Sequence, residues 1–194
     1  MTLPMNKSPT TADEAAIIAV ITLAFSTDPV TRWVRPDPQQ YLTHFPTAVR
    51  AFGGKAFAHG SAYYVEGYAG AALWLPPEVQ PAEEERSAVI QETVGEREQG
   101  DLLAVVEQMR SYHPKEPHWY LPLLGVDPLH QGHGYGSALM EHTLVPCDRD
   151  HKLAYLEATS PRNMSLYQRH GFEVLGTIQV GTSPPLFPML RKPR

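Results

Sequence analysis

The sequence predicts an α/β domain in which a mixed sheet carries helices on both faces. Residues 119–126 form an apolar run that is followed by a glycine-rich loop, a helical pattern and a second apolar run at 153–158. This order indicates a βαβ unit with a parallel strand pair. Two short segments on either side of a turn at 67–70 indicate an antiparallel hairpin.

The length and composition indicate one domain and argue against some classes of binding partner. The 194 residues, of which 42% are hydrophobic, suffice for one sizeable core but not for two, so we expect a single domain over 1–194. A net charge of −5 argues against nucleic acid or an anionic membrane as the main partner. The apolar run at 15–25 is too short to span a bilayer, and 1–10 lacks the apolar core of a signal peptide, so the expected location is the cytoplasm.

The first 60 residues are predicted to be mainly helical. Apolar residues fill 15–25, and Asp28-Pro29 ends this first helix. Residues 30–38 are predicted to form a proline-rich loop. Apolar residues recur at mostly helical spacing over 39–57, which predicts a second helix.

The hairpin, two charged helices and the βαβ unit follow in order. The hairpin strands are predicted at 61–67 and 70–75, and we interpret 81–112 as two helices with charged, solvated faces. The elements expected after residue 117 are a strand at 119–126, a helix from the glycine loop to about 145, a strand at 153–158, a helix at 163–170, and strands at 172–180 and 186–191.

Neither a reactive cysteine nor a metal site is expected. The single cysteine, Cys147, excludes an internal disulfide and lies in a polar connection without an evident activating partner. We therefore expect an inert thiol rather than a nucleophile. His130 and His133 flank the glycine loop, but no third ligand and no His-Glu-x-x-His pattern accompanies them.

The glycine loop, QGHGYG at 131–136, is the segment most typical of a ligand site. Alternate glycines let the backbone lie against a ligand without side-chain collision, and a helical pattern begins at Ser137. A strand, a glycine loop and a helix N-terminus together suit a pyrophosphate. The glycine spacing alone also allows a tight loop without a ligand.

Two other nucleotide-binding loops share part of this pattern. A P-loop would end in Gly-Lys-Ser/Thr, and no such triplet follows Gly132. A dinucleotide fold is favoured by Glu157, which lies 21 residues after Gly136, where a ribose-binding acid belongs. However, five residues, 127–131, separate the strand from the first glycine, the glycine pattern is G-x-G-x-G, and too few residues remain after Glu157 for a doubly wound sheet.

Residues 126–136, VDPLHQGHGYG, resemble the acetyl-CoA signature Q/R-x-x-G-x-G/A of the GCN5-related N-acetyltransferase (GNAT) superfamily. The resemblance extends through 155–163 and 167–172, and within the superfamily 113–117 and 160–163 are similar to the puromycin N-acetyltransferase group. It implies a GNAT-like mixed sheet whose parallel pair splays at the cofactor, acetyl-CoA. It also implies a first strand within 1–10, which carries little strand pattern, so this strand is expected to be short or absent.

The resemblance assigns roles to individual residues. The pantetheine arm of CoA would run beside the central strand, and the pyrophosphate would bind the glycine loop, in which His133 stands where relatives often carry Lys or Arg. The cofactor-binding residues it implies are Leu124, Gly125, Val126, Gln131, Gly132, His133, Gly134, Tyr135, Gly136, Ser137 and Asn163. Tyr167 matches the general acid that protonates the leaving thiolate. Glu157 is expected to be a general base or a ligand of the acceptor, the alternative being a structural carboxylate bound by backbone N–H groups.

The acceptor amine is expected to bind on the side of 26–117, whereas 118–172 would form the acetyl-CoA-binding core. The substrate-binding residues expected are Asp28, Trp33, Trp74 and Tyr120, and Trp33 is interpreted equally well as core filler. His113 and His118 are expected near the acceptor because they precede the central strand.

The expected function is acetyl-CoA-dependent N-acetylation of a small amine, with aminoacyl and antibiotic-like acceptors as candidates. A non-catalytic acyl-CoA sensor and a protein N-acetyltransferase stay open as alternatives. We expect a small-molecule partner, no nucleic acid, no membrane, and a monomer or homodimer.

Overall fold

The computed structural model describes residues 5–7, 11–80 and 82–194. Its strands are β1 (Met5–Lys7), β2 (Ala62–Val65), β3 (Gly70–Leu75), β4 (His118–Val126), β5 (Leu153–Ala158), β6 (Glu173–Val174) and β7 (Phe187–Arg191). They form one seven-stranded sheet in the order β1-β2-β3-β4-β5-β7-β6. All neighbouring pairs are antiparallel except β4 and β5, which are parallel. The mixed sheet, the hairpin and the parallel pair are thus confirmed, and the first strand is short.

Eight α-helices are described. They are α1 (Thr11–Ala24), α2 (Pro29–Val34), α3 (Pro38–Gly53), α4 (Lys55–Ala58), α5 (Glu83–Thr93), α6 (Glu96–Tyr112), α7 (Tyr135–Arg149) and α8 (Pro161–Arg169). One face of the sheet packs its apolar side chains with those of α1 and α3, and the other packs with those of α7 and α8. Within the described ranges, no helix has the length and apolar character needed to cross a bilayer.

Three helices begin at a polar residue that is followed by proline. These N-cap residues are Asp28, Asp37 and Ser160. In each case the side-chain oxygen accepts a hydrogen bond from the backbone N–H three residues later. Proline has no N–H and therefore leaves no donor unsatisfied at the first helical position. The expected loop at 30–38 was therefore wrong over 30–34, because Asp28-Pro29 begins the helix α2 as well as following α1.

The strand expected at 172–180 was also largely wrong. Only Glu173–Val174 pairs with β7, and a single bridge joins Ile178 to Leu186. Between them the backbone at Gly176 approaches Tyr112 of α6 so closely that a Cβ there would lie 2.4 Å from the tyrosine oxygen. The chain leaves the sheet edge at this point to pack on α6.

The parallel strands β4 and β5 pair only over the first four residues of each. Their register runs from His118 opposite Leu153 to Leu121 opposite Leu156. Beyond that point β4 remains paired with β3, and β5 remains paired with β7, so the two parallel strands part. This confirms the expected splay, and it leaves the β4 edge over 122–126 without a strand partner on the β5 side.

Pro122 explains where the splay begins. Proline has no N–H to donate to a neighbouring strand, and it follows directly on the last residue of β4 that pairs with β5. The register of β4 against β3 also shifts here, since Leu73 lies opposite Leu123 but Leu75 lies opposite Tyr120. The extra β4 residue is a β-bulge, which bends the strand and re-aims its side chains.

Candidate active site

The turn after β4 is held by two side chains. The Asp127 carboxylate accepts the Leu129 N–H at 2.8 Å, and the Gln131 side-chain amide donates to the Val126 carbonyl at 3.2 Å. Gln131 therefore fixes the glycine loop against the end of β4. Its expected contact with a cofactor stays a prediction.

The glycine loop exposes backbone N–H groups at the start of α7. Gly132 and Gly134 adopt φ of +81° and +85°, a left-handed backbone that favours glycine, and no atom lies within 4 Å of where their Cβ atoms would be. The N–H of Ala138 donates to the Gly134 carbonyl, whereas the N–H groups of 135–137 precede the helical ladder. The loop therefore provides space and donors for an anionic group at a helix N-terminus.

Replacing Gly134 by Val is expected to weaken CoA binding by about tenfold or more. A β-branched residue at this φ is strained by about 1–3 kcal/mol, so the loop must shift and its donors move with it. Isothermal titration calorimetry with CoA measures the change. Replacing the exposed His133 by Ala is the control, with affinity retained within about twofold because the backbone supplies the donors. Unchanged affinity in Gly134→Val contradicts the assignment of this loop.

A cavity of about 140 Å³ lies on the opposite side of the splayed strands from α7. It is lined by α2, α3, α5, α6 and the middle of β4, mostly through aliphatic and aromatic side chains. The polar residues in the lining are Thr31, Arg35, Tyr120, Glu157 and Thr159. The cavity thus combines an apolar wall with a few polar groups, as small-molecule sites do.

Of the four expected substrate-binding residues, only one lies in the lining of the cavity. Tyr120 lines the cavity. Trp74 does not, because alternate residues of β3 point to opposite faces and Trp74 packs edge-on against Trp119 on the α7 side. Trp33 lies on α2 but outside the cavity lining; it is half-buried and donates from its ring N–H to the Thr182 hydroxyl at 3.1 Å. Asp28 caps α2 rather than lining the cavity.

The contribution of α5 and α6 to the cavity was not anticipated. Both helices were expected to be charged and solvated, yet Val89 and Ile90 of α5 line the cavity together with Leu102, Val105 and Met109 of α6. A detectable signal was present, since the α6 residues recur at i, i+3 and i+7, which is a helical apolar stripe. The charged clusters at 83–86 and 96–98 obscured it.

Glu157 is a buried carboxylate with one free acceptor. Its side chain is 4% exposed, and Oε2 accepts a hydrogen bond from the Tyr120 hydroxyl at 3.0 Å. Oε1 lies 3.4 Å from Nε2 of His113 but has no aligned hydrogen-bond donor. In the described parts of the chain no backbone N–H donates to this carboxylate, so the interpretation as a structural carboxylate held by backbone groups lacks support.

The hydroxyl that faces Glu157 keeps its proton. Burial, followed by the charge of Glu157, raises the pKa of Tyr120 well above its ordinary value. The same two causes raise the pKa of Tyr155, whose ring lies beside that of His113 with centroids 4.3 Å apart. Tyr120 is therefore a donor to the carboxylate and not a competing base.

Two histidines connect Glu157 to the surface. The Nδ1 of His118 lies 2.8 Å from the Glu116 carbonyl, which can only accept, so this nitrogen carries the proton. In neutral His118 the other ring nitrogen, Nε2, must then accept from Nδ1 of His113 at 3.2 Å. The remaining nitrogen of His113, Nε2, lies 3.4 Å from Oε1 of Glu157 without a hydrogen bond, so the carboxylate and the two rings stand in a row.

The protein is expected to melt at a lower temperature at about pH 5.5 than at about pH 7.5, partly because of His118. Burial lowers the pKa of His118 below its ordinary value of 6.5, although the Glu116 carbonyl and the Glu157 charge oppose the shift. The unfolded chain then binds more protons than the folded chain just below pH 6.5, so acidification favours unfolding.

Thermal denaturation of the wild type and of His118→Gln at both pH values checks this expectation. The pH-dependent difference in melting temperature should be smaller in the variant. His170, whose pKa burial also lowers, and Asp28, whose pKa burial raises, are common to both proteins and cancel in the comparison. An equal difference in the two proteins would show that His118 does not contribute.

Tyr167 and Asn163 lie on α8, which starts beside the end of β5. Tyr167 is buried edge-on against Phe172, and burial, followed by the charge of Asp28, raises its pKa, so the phenol is protonated. The Asn163 amide donates to the Thr159 hydroxyl at 3.3 Å, and that hydroxyl donates to Asp28. The structure thus joins α2 to α8 through Thr159, which also lines the cavity.

Comparison with known proteins gives one family model and several structures of the same fold. Residues 88–174 match the model described as the acetyltransferase (GNAT) domain. A structure described as histone acetyltransferase HPA2 and related acetyltransferase from Corynebacterium glutamicum is 26% identical, with a TM-score of 0.72 over 100% of this chain and 98% of that chain.

Two further structures are similar in fold. Arylalkylamine N-acetyltransferase 2 from Aedes aegypti is 13% identical, with a TM-score of 0.70 and 100% of both chains covered. The Drosophila melanogaster polyamine N-acetyltransferase is 16% identical, with a TM-score of 0.62 over 97% of this chain and 100% of that chain. The chain therefore has the GNAT fold, and its segment 88–174 matches the GNAT domain.

Proposed function

We propose that the chain is an N-acetyltransferase of the GNAT superfamily that transfers the acetyl group of acetyl-CoA to the amine of a small molecule. The observation that carries the proposal is Glu157, a buried carboxylate in the lining of an apolar cavity where β4 and β5 part, whose Oε1 has no hydrogen-bond partner. The match to the GNAT domain supports acetyl transfer. The arylalkylamine and polyamine N-acetyltransferases among the similar structures support an amine as acceptor.

The residues around the gap fit CoA. The β4 edge over 122–126 has backbone groups without a strand partner, which would bind the pantetheine arm as an added strand, and Leu124, Gly125 and Val126 lie on this edge. The N–H groups of the glycine loop would bind the pyrophosphate. Acetyl-CoA, when bound, supplies the acetyl thioester. In this arrangement 118–172 form the cofactor side of the domain and 26–117 form most of the acceptor side.

Glu157 would act as the base for the amine. A lysine-like amine with a pKa of about 10.4 is neutral in roughly one molecule per few thousand at pH 7, so proton removal limits the reaction unless a base is present. The free Oε1 accepts that proton, and His113 and His118 pass it toward the surface. Tyr167 holds a proton on its phenol oxygen for the leaving thiolate.

An acetyl-CoA turnover screen tests the proposal. The panel contains puromycin, spermidine, agmatine, phenethylamine, aminoglycosides and a lysine peptide, and CoA binding is measured separately by calorimetry. We expect CoA to bind and at least one small amine to be acetylated, with puromycin testing the closer likeness to its own N-acetyltransferase group. Absence of CoA binding overturns the proposal, binding without turnover of any amine indicates an acyl-CoA sensor, and turnover of the peptide alone indicates a protein N-acetyltransferase.

A further inference from the structure

Arg35 is a buried cation in the wall of the cavity. It is 7% exposed, and its Nη2 donates to the Thr93 hydroxyl at 2.7 Å. Its Nε has no hydrogen-bond partner. Within the described parts of the chain, no carboxylate lies at ion-pair distance from Arg35. The guanidinium is therefore desolvated without a counter-charge.

The other buried arginines of the described chain have carboxylate partners, in contrast to Arg35. Arg191 forms a two-pronged pair with Asp148, at 2.7 and 2.8 Å. Arg86 lies 3.8 Å from Glu83 and stacks over the Phe52 ring at 4.3 Å. Each of these two has a carboxylate partner, and neither lines the cavity. Arg35 is thus a buried arginine that both faces the cavity and lacks an anion.

A guanidinium in this position favours an anionic ligand. Arginine does not deprotonate in proteins, so the buried group stays charged, and burial of an unpaired charge is unfavourable. A ligand carboxylate beside the guanidinium would supply the missing counter-charge and accept charge-assisted hydrogen bonds from it. The cavity between is lined mainly by apolar side chains, and Arg35 is not in contact with Glu157.

We propose that Arg35 binds a carboxylate on the acceptor, so that the substrate is an amine joined by an apolar body to an acid group. This inference rests on the proposed function, in which the amine end lies at Glu157. The inferred acceptor differs from agmatine and from polyamines, which carry a second cation. That second cation would lie next to the positively charged Arg35, and the two charges would repel each other. The separation of amine and acid sets the substrate length.

Matched pairs of amines test the inference. Hexylamine is compared with 6-aminohexanoate, in which a carboxylate replaces the terminal methyl, and phenethylamine with 4-(2-aminoethyl)benzoate, in which a carboxylate replaces a ring hydrogen. In the wild type kcat/KM should be higher by about tenfold or more for the acid of at least one pair, since a charge-assisted hydrogen bond is worth about one to two factors of ten. The ratio should fall to about one in Arg35→Met and be partly retained in Arg35→Lys.

The ratio of kcat/KM for the acid to kcat/KM for the plain amine is measured on one protein sample. It therefore does not depend on the fraction of a variant that is folded. Arg86→Met is the matched control, because it also removes a buried arginine, and it should leave the ratio unchanged. An equal kcat/KM for both members of both wild-type pairs overturns the inference, as does a ratio that survives in Arg35→Met.

A binding measurement keeps the inference separate from the proposed function. The same pairs are titrated calorimetrically into the protein saturated with CoA. Tighter binding of the acid, lost in Arg35→Met, supports the subsite even if no amine is acetylated, a result that would overturn the proposed function alone. Turnover or binding of plain amines without any preference for the acid overturns the subsite alone.

Discussion

Replacing Glu157 by Gln is expected to lower kcat about 100- to 10,000-fold at neutral pH. The amide cannot take a proton from the amine, but its oxygen can still accept from the Tyr120 hydroxyl, so the side chain should keep its place. Steady-state kinetics with the best amine of the screen measures the loss. CoA affinity and melting temperature should stay near those of the wild type, which serves as the control for folding.

The pH dependence of this variant distinguishes a base from a ligand. If Glu157 is the base, the rate of Glu157→Gln should rise more steeply with pH than that of the wild type, because the fraction of neutral amine increases up to about pH 10.4. A variant with a raised KM, an unchanged kcat and a wild-type pH profile would instead identify Glu157 as a ligand of the acceptor. That outcome would be consistent with the proposed acetyl transfer but would contradict the role of Glu157 as its general base.

Replacing Tyr167 by Phe is expected to lower kcat by about 100-fold while CoA affinity changes little. The substitution removes the hydroxyl alone, and the ring keeps its contact with Phe172. The leaving thiolate would then lack its proton donor. Single-turnover kinetics with saturating acetyl-CoA and a calorimetric titration with CoA separate the chemical step from binding.

Tyr41→Phe is a matched control for this variant. It also removes a buried tyrosine hydroxyl, one that donates to the Thr22 carbonyl within the core formed by α1 and α3. We expect it to lower the melting temperature and to leave kcat unchanged. If Tyr167→Phe behaves in the same way, Tyr167 is a core aromatic residue and another group protonates the thiolate.

The order of helices and strands was predictable because the signals for it are local. Alternation, helical spacing and glycine turns within a few residues predicted the hairpin, α3 and the unit from β4 to β5, and the structure confirms them. The error at 30–34 has a local cause, and the error at 172–180 has a non-local one. Asp28-Pro29 is a helix start as well as a stop, whereas the strand at 172–180 is interrupted by its packing against Tyr112, far away in the sequence.

The sequence by itself determined the glycine loop, since left-handed φ at Gly132 and Gly134 requires a particular residue type at each position. Only the tertiary structure decided which side chains share the cavity. Alternation along β3 shows that Trp74 and its neighbours face opposite sides, but not which side holds the cavity. The approach of His113 to Glu157 and the isolation of Arg35 depend on helices packing across long sequence separations, and no local pattern encodes those contacts.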